Sequence, residues 1–517
     1  MYIDYNKKLL FFAYFFFKYN IRRKYQKYVW LIYFNKIIDY YNEINFNKFK
    51  MNFSYDKEQL RAIYTSEAHT FVIAGAGSGK TSLIVGKVNY LIEQEKLKEN
   101  EILCLSFTNA ACDNLKRKLL YDVDVLTFHK LALNILHNEY KINNNYLKYI
   151  INEYFEAIVI DSKNQVKKLL KIIGKHNLKK YKLYLSLGYF DSLKELISKF
   201  IHLFITNGYD YSSFLKFKNN KDLLSIIIDI YYLYITELDA NKEVDLDTLI
   251  IKAIDYSENI KFLKYIIIDE FQDISKIRMN LISAIIKKTN SKLLAVGDDY
   301  QSIYGFSGSN INEYIKLCHN NYDTKVIKLK NNYRCCQELV YVANKFVMKN
   351  KNQIKKNINC FFSIKKPIII IKEKSGILEK LLINLSKNKK DILILGRNNN
   401  DIKNYINPLL ILNINKITNC NIFYKTIHSA KGLEADCVII INLKDDKLGF
   451  PSQIVNHDVI SYVTNVEEYE YAEERRLFYV ALTRSKGEVY LLEPLNKSIF
   501  LKELKRNNKQ KIHYLSL

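Results

Sequence analysis

Four prolines, 15 glycines and one tryptophan in 517 residues leave this chain little of what builds linkers and repeats. That scarcity excludes collagen-like and long low-complexity segments, and no internal repeat is visible. Nor does any charge-free apolar stretch reach the roughly twenty residues that span a bilayer. The run at residues 9–17, LLFFAYFFF, is too short and is bracketed by Lys7, Lys8 and Lys18. No small-residue cleavage site follows it, as a secretory leader would require. The eight cysteines form no CxxC or CxH pair, and Cys335 and Cys336 are adjacent. Neither a structural zinc site nor a disulfide framework is expected, which points to a reduced, intracellular chain.

What the chain does have is core material. Hydrophobic residues make up 48% and charged residues 26%, the balance of a globular protein, and the length suits three or four domains. Lys and Arg number 79 against 54 Asp and Glu, a formal charge of +25. Such a surface attracts nucleic acid or anionic lipid. With 41 Tyr and 28 Phe and abundant Lys, Asn and Ile, the composition also matches AT-rich coding, so charge alone does not decide the partner. Met51 stands just before the first motif, which favours an upstream start assigned in error over an accessory helix for residues 1–50.

The chemistry begins after Thr70-Phe71-Val72-Ile73, a short apolar run that predicts a buried strand. Ala74-Gly75-Ala76-Gly77-Ser78-Gly79-Lys80-Thr81 follows, and Leu83, Ile84, Val88 and Leu91 then recur at helical spacing. This is GxxxxGKT between strand and helix. Its glycines let backbone N–H groups close on phosphates at a helix N-terminus. Lys80 is expected to reach the β- and γ-phosphates and Thr81 to ligate Mg²⁺. A second apolar run, residues 265–268, delivers Asp269 and Glu270 at a strand's carboxyl end, where α/β folds place ligands. Asp269 is expected to hold Mg²⁺ through water, and Glu270 to activate the attacking water.

Further motifs follow in order: Gln59 within residues 56–63, Phe107-Thr108-Asn109, Thr127-Phe128-His129, Asp269-Glu270-Phe271-Gln272-Asp273, residues 296–306 (VGDDYQSIYGF), Asn332-Tyr333-Arg334, residues 426–434 (TIHSAKGLE) and residues 473–484 (EERRLFYVALTR). In this order the chain resembles the UvrD/Rep-type superfamily 1 DNA helicases over residues 56–493.

The resemblance implies roles residue by residue. Gln59 would read the adenine edge, Tyr333 would stack on the base, and Glu434 would contact the ribose. Gln301 would sense the γ-phosphate, with Arg334 and Arg484 neutralising charge on the transferred phosphoryl group. Phe107, Tyr304 and Phe306 would stack bases of single-stranded DNA. Thr108, Asn109, His129, Thr426 and His428 would lie near its backbone or couple it to the nucleotide. Arg475 and Arg476 are expected to bridge structural acids. There are departures: Ser82, Ala110 and Phe306-Ser307 stand where the family often has Arg, Lys and Trp-Arg, which weakens nucleotide or DNA grip rather than hydrolysis.

The implied fold is α/β, with two RecA-like P-loop NTPase domains and a helical insertion in the first. Residues 51–129 and 241–330 would form the first domain, 130–240 the insertion, 331–500 the second domain, and 501–517 a C-terminal tail. Eight lysines and no acid lie between Lys163 and Lys182, either a solvated helix face or a duplex contact. The outer insertion of larger relatives is mostly missing from the second domain, its remnant being the lysine-rich stretch 345–374. No nuclease-like acidic cluster follows.

The function implied is an ATP- and Mg²⁺-dependent helicase or translocase on single-stranded DNA and its junctions with duplex, moving 3′→5′. A monomer in the cytoplasm is expected, or in a nucleus for a eukaryotic source. Rival readings are a translocase that strips proteins without unwinding, an RNA-directed helicase, and a DNA clamp with vestigial ATPase.

Overall fold

Strands here follow from runs of Val, Ile and Leu that are apolar on both faces, as parallel strands covered by helices must be. The computed structural model describes residues 55–137, 139–161, 163–260, 262–310, 324–418, 420–464 and 467–516. The N-terminal extension expected over 1–50, its apolar run and Cys318 lie outside the described residues.

The first sheet contains β1 (His69–Ile73), β2 (Ile102–Ser106), β3 (Asp124–Thr127), β4 (Tyr265–Ile268), β5 (Lys292–Gly297) and β6 (Thr324–Lys328). All pairings are parallel, in the order β3-β2-β4-β5-β1-β6. Alternation splits its side chains between two cores: Phe71, Ile266 and Ile268 face one side, Val72, Tyr265 and Ile267 the other.

The second sheet contains β7 (Ile368–Lys372), β8 (Asp391–Gly396), β9 (Asn421–Thr426), β10 (Ala435–Ile440), β11 (Ser485–Glu493) and β12 (Ile512–Leu515). Its order is β9-β8-β10-β11-β7-β12, again all parallel. The order repeats that of the first sheet, strand for strand, although no sequence repeat accompanies it. These are the two RecA-like domains.

Among the helices, α1 (Lys57–Tyr64) precedes β1, α2 (Lys80–Glu93) follows the glycine-rich loop, α3 (Asn109–Lys116) follows β2, and α4 (Phe128–Ile135) follows β3. Then α5 (Tyr146–Asp161), α6 (Lys163–Ile172), α7 (Asp191–Thr206) and α8 (Lys221–Asn241) enclose a separate core built on Phe155, Phe190, Phe200 and Phe204. Chain returns to the first domain at Asp245, whose carboxylate accepts from the N–H groups of Asp247 and Thr248 and caps α9 (Leu246–Asp255). Next comes α10 (Lys276–Thr289).

Three sequence-based boundaries move. Helix α4 was assigned to the insertion from residue 130, yet Leu131, Ala132 and Ile135 are buried in the first-sheet core. Its apolar stripe matches that of α9 and binds it there. The supposed remnant at 345–374 contains β7, which is hydrogen-bonded on both sides. Only residues 397–420 separate β8 from β9. The expected tail is sheet: Ile512 pairs with Ile368, and Leu501 and Leu504 of α13 (Ile499–Asn507) are fully buried.

The second domain also reaches the insertion. Val459, Ile460 and Val463 complete the insertion's core, Phe217 stacks on Tyr462 with centroids 4.9 Å apart, and Asn207 Nδ2 donates to the Val463 carbonyl at 2.9 Å. The Lys163–Lys182 stretch puts Lys171 against Asp222 at 2.8 Å and Lys168 on Ser225 at 3.1 Å, so part of that charge is spent within the insertion.

Candidate nucleotide site and DNA groove

Strand β1 stops at Ile73, and the loop turns into α2 at Gly79, whose φ of +78° is one that L side chains resist. A Cβ there would also meet Gln59 Nε2 at 2.5 Å. The loop presents its N–H groups at the start of α2, the geometry that binds phosphate. Lys80 extends from the first turn of that helix to Glu270, with Nζ 2.7 Å from Oε1. Burial pulls the ammonium pKa down, but Glu270, Asp269 and Asp298 more than reverse this and leave it raised.

Glu270 itself has φ of +52°. A left-handed glutamate costs about 1–3 kcal/mol, a strain that persists where surrounding contacts hold it. Here those contacts are Lys80 and Gln272, whose Nε2 donates to Glu270 Oε2 at 2.7 Å. Burial would raise the carboxyl, but Lys80 and Lys431 outweigh it and hold Glu270 ionised, well below the usual range. The neighbouring Asp269 is pushed up to about 6, by burial and then by the charge of Glu270. One of two adjacent acids is therefore held ionised, though a weak proton acceptor while both lysines face it. The other is a carboxyl whose full ionisation calls for a nearby cation. A carboxylate is a hard oxygen ligand of the kind that suits Mg²⁺.

From the second domain, α11 (Gln337–Val347) and α12 (Ala472–Leu482) approach the loop. Tyr333 N–H donates to the Gly77 carbonyl at 2.8 Å, Asn332 Nδ2 to the Ala76 carbonyl at 2.6 Å, and the Tyr479 hydroxyl accepts from Ala76 N–H at 3.4 Å. Arg484 is buried. Its Nη2 donates to Gln301 Oε1 at 3.0 Å, and Gln301 Nε2 donates to Asp298 at 2.6 Å. Burial, and then Arg334, lower its pKa to about 10, so it stays charged at neutral pH. Arg334 Nε donates to Glu434 at 2.8 Å. Glu434, expected at the ribose, is therefore engaged by the arginine that must also reach phosphate.

The base-site residues also meet. Gln59 Nε2 donates to the Ser78 carbonyl at 3.3 Å and its Oε1 accepts from Asp56 N–H at 3.0 Å. One N–H and one lone pair remain for a base edge. Tyr333, half-exposed, donates to Asp56 at 2.9 Å and stacks on Phe361, centroids 5.0 Å apart.

The expected DNA residues form two groups. Tyr304, Phe306 and His428 pack together, with Phe306 and His428 rings 5.6 Å apart and Tyr304 donating to the His428 carbonyl at 3.2 Å. Phe306 is 51% exposed. With Thr426 nearby, Phe306 and His428 line a cavity of about 1020 Å³ shared with Lys199 of the insertion and Arg397 of the second domain. The second group is Phe107, Thr108, Asn109 and His129; Phe107 lies beside the core ring of Phe128, and the Arg278 guanidinium is 5.5 Å from the Phe107 ring. Burial, and then Arg278, lower the His129 pKa to about 4. Asn109 is exposed. Thr108 caps α3 by accepting from Ala111 N–H at 3.2 Å, which leaves its hydroxyl proton and one lone pair uncommitted.

Sequence reasoning assigned no role to three residues that the geometry places at the site. Lys431 contacts Asp273, lies 4.0 Å from Glu270 and donates to the Gln301 carbonyl at 2.8 Å. Gln272 bridges Glu270 and Asp298 N–H, the latter at 2.8 Å. Both stand inside the quoted motifs, so their position was the available signal. Arg278 lay outside every motif and carried none. Arg476 reaches Glu467 at 2.5 Å and Arg475 reaches Glu503 at 3.0 Å, both buried structural pairs as expected.

Two RecA-like lobes, with a phosphate loop on one and arginines entering from the other, define a P-loop NTPase with its site between the lobes. Residues 55–322 match the model of the UvrD/REP helicase N-terminal domain and residues 414–493 that of the UvrD-like helicase C-terminal domain. The chain belongs to the UvrD/Rep family of DNA helicases. It is 30% identical to DNA helicase IV of Escherichia coli, over 86% of this chain and 69% of that protein. It is 27% identical to ATP-dependent DNA helicase Rep of Buchnera aphidicola, over 83% of this chain and 64% of Rep. Against ATP-dependent DNA helicase PcrA of Staphylococcus epidermidis the identity is 26%, over 59% of this chain and 41% of PcrA. Among the described residues no helix is long and apolar enough to cross a membrane.

Proposed function

We propose that this chain hydrolyses ATP to move along single-stranded DNA, 3′→5′, and separates duplex strands at junctions, as a monomer inside the cell. The observation that carries the reading is the meeting of Arg484 with Gln301 and of Lys80 with Glu270 in one cleft. Groups from both lobes surround a single place for a γ-phosphate, so hydrolysis and lobe movement are coupled.

Each residue's task follows from its surroundings. Loop N–H groups and Lys80 bind the phosphates; Gln59 and Tyr333 orient the base. Thr81 and, through water, Asp269 would hold Mg²⁺, which supplies charge neutralisation to the phosphates. Glu270, ionised and fixed in place, takes the proton of the attacking water. Arg334 and Arg484 then offset charge on the transferred group, and Gln301 links that event to the 301–306 segment bearing Tyr304 and Phe306. Stacking on these rings is blind to sequence, so the groove follows any single strand.

A second reading, translocation without unwinding, draws support from the short 397–420 connection, where larger relatives carry an outer subdomain. ATP hydrolysis with and without single-stranded DNA, followed by strand separation on a 3′-tailed duplex, tests both. DNA-stimulated hydrolysis with separation is expected. Stimulation without separation would favour the translocase, and hydrolysis indifferent to DNA would refute the motor.

A further inference from the structure

We propose that Lys356 is a positioning residue for ATP hydrolysis, setting the amide of Gln301 between Asp298 and Arg484; this rests on the motor reading above. Lys356 is 2% exposed and both of its partners, Asp298 and Asp299, are 0% exposed. Its ammonium contacts Asp298 Oδ1, lies 2.5 Å from Asp299 Oδ1 and sits 3.7 Å from the centre of the Tyr300 ring. A buried ion cluster of this kind stabilises a fold poorly, since apolar residues of the same volume often do as well or better. The cation calls for another explanation.

Asp298 is the branch point that supplies it. Its backbone N–H donates to Gln272 Oε1 at 2.8 Å, and Gln272 Nε2 donates to Glu270 at 2.7 Å. Its Oδ2 accepts from Gln301 Nε2 at 2.6 Å, and Gln301 Oε1 accepts from Arg484 at 3.0 Å. An ionised Asp298 can only accept, so Gln301 must turn its NH₂ toward it and its oxygen toward Arg484. Lys356 is what allows two adjacent buried carboxylates to stay side by side. Without it Asp298 is a buried carboxylate with no cation against it, which draws it toward water or other donors and releases the Gln301 amide whether or not residue 299 is charged.

The way Lys356 arrives ties this turn to the other lobe. The segment 350–358 leaves the second-domain helix α11 and crosses to the first domain. There Ile354 N–H donates to Asp299 Oδ2 at 2.8 Å, and the Tyr300 hydroxyl donates to the Ile354 carbonyl at 2.8 Å. Ile354 is buried in the first-sheet core, and Ile358 lies against Gly75 of the phosphate loop. A strap from one lobe thus sets the γ-phosphate sensor of the other.

The test compares the full chain with D299N and K356M/D299N. The double variant removes one positive and one negative charge, so the cluster's net charge is unchanged. Three quantities are measured: steady-state hydrolysis with saturating oligo-dT, affinity for Mg-AMP-PNP, and thermal melting. D299N, which keeps Lys356 on Asp298, is expected to hydrolyse ATP within about threefold of the parent. K356M/D299N is expected to melt cooperatively and bind AMP-PNP within about threefold of the parent, while kcat falls at least about thirtyfold, the pattern of an interaction needed only in the transition state. A double variant with near-parental kcat would overturn the assignment. So would a loss of affinity matching the loss of kcat, or loss of cooperative melting, either of which would mark Lys356 as structural. A parent and D299N that both fail to hydrolyse ATP would instead overturn the motor reading, and this inference with it.

Discussion

Lys80 and Glu270 neutralise one another across 2.7 Å, the cation meant for phosphate holding the base meant for water. In the proposed mechanism a bound phosphate would give Lys80 a competing anion and leave Glu270 free to face a water. Removing either partner should separate binding from chemistry. K80A is expected to lose nucleotide affinity. E270Q is expected to keep it while kcat falls about 10²–10⁴-fold, the range of general-base catalysis. Equilibrium binding of Mg-AMP-PNP beside single-turnover hydrolysis reads both; an E270Q variant with parental turnover would remove Glu270 from the role.

The two arginines should differ in stability although they share a task. R334A and R484A are each expected to lower kcat about 10³–10⁵-fold, as loss of an arginine finger does. Arg334 sits near the surface of the cleft with Glu434, whereas Arg484 is 1% exposed and donates to the Val480 carbonyl at 3.1 Å. R484A should therefore also melt several degrees lower, through lost packing and unpaired acceptors. Equal melting temperatures for the two variants would contradict the burial argument.

Affinity for single-stranded DNA should depend on exposed rings. F306A is expected to weaken oligo-dT binding by about 1–3 kcal/mol, the usual worth of one base–aromatic stack. F128A, with its ring buried in the first-sheet core, is expected to act on melting instead. Binding should fall steeply with salt, because the remaining grip is on phosphates. A fluorescence anisotropy series over salt concentration checks both, and an F306A variant with unaltered affinity would remove that ring from the groove.

Two buried histidines should cost the fold stability on mild acidification. His129 and His428 have pKa values lowered to about 4, chiefly by burial and then by nearby arginines. In the unfolded chain they protonate near 6.5, so between about 6.5 and 4 the unfolded state binds more protons and folding weakens as pH falls. His202 acts oppositely. Its contact with Asp247, at 2.5 Å, outweighs burial and raises its pKa, so its contribution is complete below its unfolded pKa and fades as pH rises through the folded one. Asp269 and Asp273, both raised to about 6, act in the same sense as His202, so the histidine contribution is read as a difference: from pH 7 to 4.5 the parent should lose more melting temperature, or gain less, than the pair H129N and H428N. A parent and a double variant with the same dependence of melting on pH would refute the two depressed values.

Much of this was legible in advance because the chemistry demands fixed spacing. GxxxxGKT and the acids at 269 and 270 can work only at strand ends, so the motifs carried their own topology. Boundaries were less legible where amphipathic helices and short strands look alike in any setting. Helix α4 reads equally well as insertion or core, and Ile512–Leu515 looks like a fraying end until Ile368–Ile371 is seen to lack a second neighbour. Lys356 was hidden by its surroundings, since one lysine among many in residues 345–374 carries no signal. Only burial against two aspartates distinguishes it.

The repeated strand order has one further consequence. In the second sheet the counterpart of the phosphate loop is residues 373–376, Glu373-Lys374-Ser375-Gly376, between β7 and the helix Ile377–Leu385. Gly376 repeats the left-handed turn of Gly79, with φ of +70° against +78°, but no Gly-Lys-Thr follows. One half of a doubled engine has kept the cylinder wall and lost the combustion chamber. With one phosphate loop between them, the two halves cannot exchange roles. If the chain is the motor proposed above, its sense of travel would rest on unequal twins, present before any track is bound.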